Sequence, residues 1–323
     1  MPSTLTSLHT TLKLLSDPVR LRLCALMARS ELAVQELVAI TGLQQSRISN
    51  HLSLLKRAGL VRDRREGTWS FHSLVEPTPD GPLTPSLFDA TVQRRIDAAE
   101  EAGDLAALEA VLDRRRQKSR DMHDRLAGRW SALGEEFALG TLRAEVLAQA
   151  FPCGRKVADL GCGTGFLAGW LNGRGATVIG VDHSEGMLAE AAQRAPAVDF
   201  RRGELDALPL ADHEVDAAFA NLVWHHVPDL EAAAREALRV LRPGGVLVVS
   251  DLAPHDADWM REQMGDLRLG LKSEHVLGAL LRAGFGNLHA DPLCDRYRVT
   301  APGGDVAEFR MFAVRGQRPA AAS

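Results

Sequence analysis

The feature that most constrains the fold of this chain is an apolar run that contains an acid and then breaks into three alternate glycines. Residues 157–166 read Val-Ala-Asp-Leu-Gly-Cys-Gly-Thr-Gly-Phe. This run predicts a strand that turns sharply into a helix, because glycine permits a positive φ and leaves space for a ligand over the turn. Strand–turn–helix units of this kind build doubly wound α/β sheets, which bind ligands at the carboxyl ends of their strands.

The length and composition are those of a globular protein with two domains. The chain has 323 residues, more than one hydrophobic core usually serves, and 46% of them are apolar and 25% charged. Neither an 18-residue apolar run nor an apolar leader is visible, so we expect a cytoplasmic protein. The cysteines lack CxxC spacing, which argues against disulfides and a zinc site. We expect buried thiols at Cys24, Cys153 and Cys294, and set Cys162 apart because it lies in the glycine turn.

Charge is distributed unevenly along the chain. The net charge is only −4, yet residues 1–75 hold ten Lys or Arg against five Asp or Glu, which leaves −9 for the remainder. A basic end joined to an acidic body predicts that only the first part of the chain meets a polyanion.

Two helices joined by a short turn are predicted between residues 33 and 56. The turn is Thr41-Gly42-Leu43, and the arrangement is typical of a helix-turn-helix. Ile48, Leu52 and Leu55 follow one another at spacings of four and three, so we expect them to face the core. The polar residues of the second helix then face solvent, where they can contact bases and phosphates in a major groove. These residues are Gln44, Gln45, Ser46, Arg47, Asn50 and His51.

A β-hairpin is predicted around Glu66-Gly67, with Arg62, Arg64 and Arg65 suited to a wing on the sugar-phosphate backbone. Residues 5–75 resemble the winged-helix domain of the ArsR/SmtB family of bacterial repressors. The resemblance implies a homodimer that binds double-stranded DNA at an inverted-repeat operator. The segments that carry it are Leu-Ser-Asp-Pro-Val-Arg-Leu-Arg-Leu (15–23), Ser-Asn-His-Leu (49–52), Lys-Arg-Ala-Gly-Leu-Val (56–61) and Arg-Arg-Glu-Gly-Thr-Trp (64–69).

The chain departs from the metal-sensing members of that family. Those members place cysteines in the helix before the turn, where this chain has Ala33 and Gln35. His9, His51 and His72 are isolated in sequence, so no other ligand cluster replaces them. We therefore predict that the protein is not a metal sensor and holds no metal.

A connector with linker, dimerisation or capping helices is predicted over residues 76–148, between a winged-helix domain at 1–75 and a ligand-binding domain at 149–323. Residues 76–85 are rich in proline and cannot be helical. The basic run 113–120 is open to two interpretations, a DNA-binding helix or a solvated face, and the acids around it favour the second. Residues 122–150 are expected to cap a ligand cleft.

The ligand of the second domain is predicted to be an S-adenosyl nucleoside. Asp182 ends a strand 23 residues after Asp159, where a carboxylate can accept from both ribose hydroxyls, as it would also for NAD. A dinucleotide site, however, needs glycine where this chain has Phe166. The acid at Asp159 would also repel a pyrophosphate, whereas it can pair with the α-ammonium of S-adenosylmethionine.

The later segments resemble class I, UbiE-like S-adenosylmethionine-dependent methyltransferases of small molecules. An acidic loop at 204–206, a strand ending in Trp224-His225-His226 and an Arg-Pro-Gly-Gly turn at 242–245 occur in that family's order. Met187 is equally consistent with an adenine contact and with the core. The cofactor residues that the glycine turn, the spacing and the resemblance together imply are Asp159, Gly161, Cys162, Gly163, Gly165, Asp182, His183, Met187, Glu204, Leu205 and Asn221.

The sequence does not identify the residues that would bind a methyl acceptor. His226 as a general base competes with a structural histidine, and His225 is open to the same two interpretations. Further candidates near the strand ends are Asp251, His255, Trp259 and Arg268.

Two functions remain open on the sequence. In the favoured one, the methyltransferase-like domain senses S-adenosylmethionine or S-adenosylhomocysteine for a DNA-binding repressor; the whole-chain resemblance to ArsR-type regulators fused to methyltransferase domains implies control of methionine-cycle genes. In the other, the domain is an active methyltransferase of a small molecule, and the winged helix serves dimerisation or autoregulation.

Overall fold

The structure, a computed structural model, describes residues 4–66, 69–79, 81–96, 103–136 and 156–320. It divides into two compact units, Met1–Arg116 and Gln117–Ser323. Within the described ranges, no helix combines the length and the apolar character needed to span a membrane.

The first unit combines helices with a small antiparallel sheet. Strand β1 pairs with β3, which pairs with β2. The helices are α1 (Thr4–Leu15), α2 (Pro18–Arg29), α3 (Val34–Thr41), α4 (Gln45–Arg57), α5 (Pro85–Phe88) followed by a π-turn (Asp89–Gln93), and the start of α6 (Asp104–Glu136); the strands are β1 (Leu32–Ala33), β2 (Val61–Glu66) and β3 (Trp69–Leu74).

The local sequence explains where these helices begin and end. Asp17 caps α2, since its carboxylate accepts from the backbone amides of Val19 and Arg20, and Pro18 occupies the first turn. Gly42 ends α3 in a left-handed conformation at φ 69°. The predicted turn between α3 and α4 is therefore confirmed.

The hairpin expected around residue 66 is present. β2 pairs with β3 from Val61–Leu74 to Glu66–Trp69, and the two residues between the strands lie outside the described part of the chain. β1 adds a third strand through Ala33 opposite Phe71. A winged helix-turn-helix is thus the architecture of the first unit.

Ion pairs hold the start of α6 against the first unit. Arg22 donates from Nε and Nη2 to the Asp104 carboxylate, at 2.6 and 2.5 Å. Arg115 donates from Nε to Glu36 at 2.6 Å, and Glu36 in turn accepts from the Ala33 amide at the beginning of α3. The rest of α6, from Gln117, belongs to the second unit.

The second unit is a seven-stranded sheet flanked by helices. The strand order is β6-β5-β4-β7-β8-β10-β9; the first five strands are parallel, and β10 runs antiparallel to both of its neighbours. The strands are β4 (Lys156–Leu160), β5 (Thr177–Asp182), β6 (Asp199–Arg202), β7 (Val215–Asn221), β8 (Leu241–Leu252), β9 (Gly286–Thr300) and β10 (Val306–Gln317), and the helices are α7 (Phe166–Asn172), α8 (Glu185–Arg194), a 3₁₀ turn (Trp224–His226), α9 (Leu230–Val240), α10 (Trp259–Gln263) and α11 (Ser273–Ala283).

Both faces of this sheet are buried, as expected for parallel strands between helices. Ala218 and Ala220 of β7 pack in one apolar cluster with α9 and α11, whereas Ala217 and Phe219 pack in a second cluster with α7. The doubly wound α/β fold predicted from the glycine turn is therefore confirmed.

Two details differ from the sequence-based expectation. The Arg-Pro-Gly-Gly segment at 242–245 is not a separate turn; it lies within β8, where the register with β7 shifts between Val215 and Ala217. Among the described cysteines, Cys24 and Cys162 are buried and Cys294 is exposed, so the expectation for Cys294 was wrong. Cys153 lies outside the described residues.

Candidate functional site

The outer face of α4 presents polar side chains to solvent. Ile48 and Leu55 are fully buried and Leu52 nearly so, as their spacing predicted. The opposite face is free of such packing. Its exposed residues are Gln44, Gln45, Ser46, Arg47 and Asn50.

His51 is only partly exposed, and its Nδ1 is buried without a hydrogen-bond partner among the described residues. The imidazole lies close enough to the Asp17 carboxylate to help lower the pKa of that acid, a shift that burial opposes. His51 therefore lies near the Asp17 cap at the beginning of α2 as well as on the expected DNA surface.

The arginines of the wing differ in how they are held. Arg62 is exposed and donates from Nε to the Ser73 hydroxyl at 3.0 Å. Arg64 donates from Nε and Nη2 to Glu31, at 3.2 and 3.0 Å, and its guanidinium lies 5.1 Å from the Phe71 ring centroid. Arg64 thus stabilises the wing itself, while the side chain of Arg65 lies outside the described residues.

Steric fit requires the glycines of the turn after β4. Gly161 has a φ of 73°, and a Cβ there would come within 2.3 Å of Val223. Gly165 has a φ of 74°, and a Cβ there would meet Ala191 at 2.8 Å and Phe200 at 2.9 Å. Protein packing by itself therefore excludes a side chain at these two positions, and the predicted approach of a ligand to the turn stays a prediction.

Asp159 is a buried acid without a full set of partners. Its side chain is 2% exposed, and its Oδ2 has no hydrogen-bond partner among the described residues. Burial raises the pKa of Asp159 to about 7, and the nearby Asp182 carboxylate adds to the shift. An unpartnered carboxylate oxygen beside the turn fits the α-ammonium of an S-adenosyl nucleoside.

Asp182 ends β5 beside the glycine turn. Its Oδ2 accepts from the Gly163 amide and its Oδ1 from the Ser184 amide, both at 2.9 Å. Each carboxylate oxygen keeps a second lone pair, so the group can still accept from ribose hydroxyls. The predicted ribose carboxylate and the predicted turn are therefore neighbours in the structure.

Residues of α6 contact the acidic side of this site. Arg120 donates to Glu204 at 2.6 Å, and His183 Nδ1 lies 3.6 Å from the same carboxylate. Burial opposes protonation of His183, yet the Glu204 carboxylate raises the pKa of His183 above its ordinary value. Asp124 accepts from the Ser184 hydroxyl at the beginning of α8. This part of α6 lies where a capping helix was expected, and residues 137–150 of that segment are outside the described ranges.

The remaining predicted cofactor residues occupy the same edge of the sheet. Asn221 at the end of β7 accepts from the Ser250 hydroxyl, and Leu205 packs partly buried against the core. Met187 is 2% exposed and Cys162 is 8% exposed. Burial and the nearby Asp182 and Asp159 carboxylates raise the pKa of the Cys162 thiol well above its ordinary value, which disfavours the thiolate form.

The histidine pair after β7 is buried between aspartates. His225 Nδ1 lies 2.6 Å from Asp251, and the His225 backbone amide donates to the other oxygen of that carboxylate at 3.0 Å. Burial alone would lower the pKa of His225, but the Asp251 and Asp266 carboxylates raise it to about 10. Burial and the neighbouring His225 lower the pKa of His226 well below its ordinary value.

Sequence reasoning missed three residues of this region. Asp266 faces both histidines, His123 of α6 stacks edge-on against His226 at 4.8 Å between ring centroids, and Arg120 holds Glu204. Arg120 and His123 lie on a helix more than 80 residues from parts of the site, and Asp266 lies in a loop without a motif. No local pattern in the sequence marks any of them.

The strand order and the turn define the class of the second unit. A parallel sheet with one antiparallel strand inserted, a glycine turn after its central strand and an acid at the end of the next strand are the features of a class I S-adenosylmethionine-dependent methyltransferase domain. The chain thus joins an ArsR-family helix-turn-helix domain to a class I methyltransferase domain. Comparisons with known protein families agree: residues 17–63 match bacterial regulatory proteins of the arsR family, and residues 158–249 match a methyltransferase domain.

Several curated relatives match part of this chain. A malonyl-[acyl-carrier protein] O-methyltransferase of Serratia marcescens is 36% identical over 128 residues, which are 40% of this chain and 49% of that protein. A demethylmenaquinone methyltransferase of Paenarthrobacter aurescens is 32% identical over 148 residues, 45% of this chain and 58% of that protein. The chain therefore spans about half the length of these relatives.

One solved structure of a methyltransferase aligns with part of this chain. A Thermotoga maritima protein described as a SAM-dependent methyltransferase, possible histamine N-methyltransferase, aligns with a TM-score of 0.47 at 22% identity, covering 61% of this chain and 99% of that one. Because this TM-score is below 0.5, the fold assignment rests on the strand order described above.

Proposed function

We propose that the protein is an ArsR-type transcriptional repressor whose methyltransferase domain binds S-adenosylmethionine or S-adenosylhomocysteine as an effector. The observation that carries this proposal is the Arg120–Glu204 ion pair at 2.6 Å. Glu204 is one of the predicted cofactor residues and, with Asp206, one of the two acids of its loop that could accept from the adenine amino group; Arg120 belongs to α6. That helix begins at Asp104 in the winged-helix unit, so a ligand-site residue is bonded to a helix that starts in the DNA-binding half.

The ion pair supplies a way for the ligand to act. A ligand can shift an equilibrium only by binding one state better than the other. We propose that an adenine amino group at Glu204 takes the space that the Arg120 guanidinium occupies beside Oε1, so binding favours a state in which α6 has lost that bond. The α6 helix is our proposed lever between the nucleoside site and the operator-binding homodimer.

The ligand site supports an S-adenosyl nucleoside over a dinucleotide. The unpartnered Oδ2 of Asp159 suits an ammonium and repels a pyrophosphate. Glycine turn, ribose carboxylate and adenine carboxylate lie at the carboxyl ends of adjacent strands, where doubly wound folds bind ligands. We further propose that the regulated genes serve the methionine cycle, whose intermediates this site binds.

The experiment titrates a DNA fragment, selected from a random pool by the full-length chain, with each of the two nucleosides. We expect one of them to weaken DNA binding at least tenfold. Asp182→Asn is expected to lose this response while binding DNA as the wild type does. Asp256→Asn, which changes an exposed acid of the same unit, is the matched control. An unchanged DNA affinity with both nucleosides contradicts the effector role.

A second candidate function has a specific observation in its favour. The His225–Asp251 pair is buried beside the ligand edge, in a domain whose relatives are methyltransferases of an acyl carrier protein and of a quinone. In that case the chain methylates a small molecule and the winged helix serves autoregulation. Transfer of label from S-adenosylmethionine to an acceptor, without any ligand effect on DNA binding, would favour this function over the sensor.

A further inference from the structure

Three side-chain atoms, His225 Nε2, His226 Nε2 and Asp266 Oδ1, lie close together after the end of β7. When both histidines are neutral, none of these three atoms carries a hydrogen. The first is His225 Nε2. The Nδ1 of this ring lies 2.6 Å from the Asp251 carboxylate, which only accepts when ionised, so Nδ1 carries the hydrogen. The lone pair of Nε2 then points toward Asp266, whose Oδ1 lies 3.7 Å away.

His226 has the same tautomer for a similar reason. Its Nδ1 lies 3.2 Å from the Gly265 carbonyl oxygen, and a carbonyl only accepts hydrogen bonds. The hydrogen is therefore on Nδ1, and the Nε2 lone pair faces the same Oδ1 of Asp266 at 3.9 Å. Both rings present an acceptor atom to one carboxylate.

These separations do not suit hydrogen bonds. Hydrogen bonds from nitrogen to oxygen span about 2.7–3.2 Å, so a proton on either Nε2 would be poorly shared at 3.7 or 3.9 Å. The second oxygen of Asp266, Oδ2, is buried and has no hydrogen-bond partner among the described residues. A metal ion would take the place of the proton on His225 that the two neighbouring carboxylates favour, and it would give the unpartnered oxygen of Asp266 a nearby positive charge.

We propose that His225, His226 and Asp266 bind one divalent transition-metal ion of the kind represented by Zn²⁺ and Fe²⁺. One ligand atom from each residue lies within 4.8 Å of the others. Bonds of about 2.0–2.2 Å to nitrogen and oxygen would draw the three atoms together by roughly 1 Å or less. Two imidazoles and one carboxylate leave coordination positions open, as in sites that exchange ligands rather than in closed structural sites.

The surroundings have the form expected around metal-binding histidines. Such histidines donate their other ring N–H to a carboxylate or a backbone carbonyl, which fixes the ring and raises its basicity. Asp251 plays this part for His225, and the Gly265 carbonyl does so for His226. Asp251 is itself fixed, since it also accepts from the backbone amides of His225 and Leu252.

The inference departs from the sequence-based expectation of no metal and goes beyond the proposed function. Adjacent histidines without a CxxC or a spaced histidine partner gave no metal signal, because the third ligand lies 40 residues further along the chain. The site follows the strand that ends in Asn221, on the same edge of the sheet as the nucleoside turn. It is a second ligand site, and its existence does not depend on the nucleoside response.

The test uses the full-length chain, purified without an affinity tag and treated with a chelator. Co²⁺ is added as a spectroscopic probe, and Zn²⁺ is added in competition. We expect one equivalent of Co²⁺ to bind with visible absorption bands that Zn²⁺ abolishes, and X-ray absorption of the Zn²⁺ form to show two imidazoles and at least one oxygen ligand. Absence of stoichiometric binding of either ion at micromolar concentrations would overturn the proposal.

Variants assign the binding to these residues. Asp266→Asn and His226→Gln are expected to weaken Co²⁺ binding at least tenfold, and Asp251→Asn by about 10- to 100-fold because it orients His225. His289→Gln, which alters an exposed histidine beside Asp291, is the matched control and should bind as the wild type does. Circular dichroism verifies folding of each variant, and the X-ray absorption of the wild type decides the ligand set if a variant fails to fold. Equal affinity in folded Asp266→Asn and wild type would contradict the assignment.

Discussion

Asp159 illustrates how position decides the chemistry of a residue. In the sequence it is an ordinary acid before a glycine turn, but the fold buries it within a parallel sheet and leaves one oxygen without a partner in the part of the chain that the structure describes. The cost of burying the charge raises its pKa to about 7, close to physiological pH. The ionised form of Asp159 is therefore poorly stabilised unless a cation binds beside it.

The raised pKa of Asp159 predicts a pH-dependent stability. Between about pH 4 and pH 7 the folded state binds more protons at Asp159 than the unfolded state, so the free energy of unfolding falls as pH rises across this range. The loss is about 1.4 kcal/mol for each unit of pKa shift. Asp159→Asn should remove this part of the slope, because the amide does not ionise. Urea unfolding of variant and wild type at pH 5 and pH 8, followed by tryptophan fluorescence, measures the difference.

Asp159→Asn is expected to weaken nucleoside binding as well as to reduce the pH dependence of stability. Asparagine cannot offer a charged partner to the α-ammonium, so calorimetry should show at least a tenfold loss of affinity for S-adenosylhomocysteine at pH 8. Asp182 and Cys162, whose titration is coupled electrostatically to Asp159, are unaltered in this variant. Asp256→Asn serves as the control. If the free energy of unfolding of Asp159→Asn falls with pH as steeply as that of the wild type, a group other than Asp159 causes the fall.

At the residue scale, the sequence predicted what lies in or near a local motif. Asp159 and Asp182 follow from a strand end and a fixed spacing, because parallel neighbours place their carboxyl ends together. Asp266 and Arg120 reach the site from a distant loop and a distant helix, so only the folded chain reveals them.

At the scale of single elements, α4 and the wing hairpin are expected to behave differently when an arginine is removed. Arg47 is exposed on α4, so Arg47→Ala should weaken operator binding and lower the salt dependence by about one counterion, without changing stability. Fluorescence anisotropy at several salt concentrations measures both quantities. Ser53→Ala, at another exposed position of α4, is the control. A loss of stability in Arg47→Ala would show that this arginine also supports the fold.

Arg64→Ala is predicted to act on the wing itself. Removing the guanidinium breaks its bonds to Glu31 and its contact with the Phe71 ring. Partly exposed ion pairs contribute up to about 1 kcal/mol, so urea unfolding should show a small loss of stability along with weaker DNA binding. Unchanged stability would mean that the pair with Glu31 contributes nothing in solution.

Helix α6 carries the prediction that most directly tests the proposed lever. Arg120→Ala removes the Arg120 guanidinium from Glu204 while the contact with His183 remains, so calorimetry should show tighter binding of S-adenosylhomocysteine. The effect of the nucleoside on DNA affinity should fall at the same time, because α6 no longer loses a bond when the ligand binds. Lys118→Ala, which removes an exposed charge from the same helix, should leave both quantities unchanged. Weaker nucleoside binding in Arg120→Ala would contradict the competition.

Elements with strong local signals were predicted, and those defined by their pairing partners were not. The helices of the winged domain and the strands β4, β5 and β7 have clear apolar patterns and boundaries. Strands β9 and β10, which pair antiparallel with each other, were not predicted. β9 has few buried residues, so it lacks an apolar pattern, and its place in the sheet depends on its long pairing with β10.

At the scale of the whole molecule, the continuity of α6 across the boundary at Arg116 is the property to test. Proline within a helix removes a hydrogen bond and clashes with the preceding turn, at a cost of about 3 kcal/mol. Gln117→Pro should therefore preserve DNA binding and nucleoside binding while abolishing the effect of one on the other. Anisotropy and calorimetry on the same preparation provide the three readouts, and Gln117→Ala is the control. Undiminished coupling in the proline variant would exclude α6 as the lever.

The close approach of Val223 to Gly161 has a mechanical consequence. Val223 fills the space that a side chain on Gly161 would need, and the residue before it, Leu222, has a φ of 55°, a left-handed conformation that costs leucine about 1–2 kcal/mol. Val223 lies against the glycine turn, two residues before His225. We therefore expect that a nucleoside which moves this turn would also move the segment of the proposed metal ligands, through the contact between Gly161 and Val223.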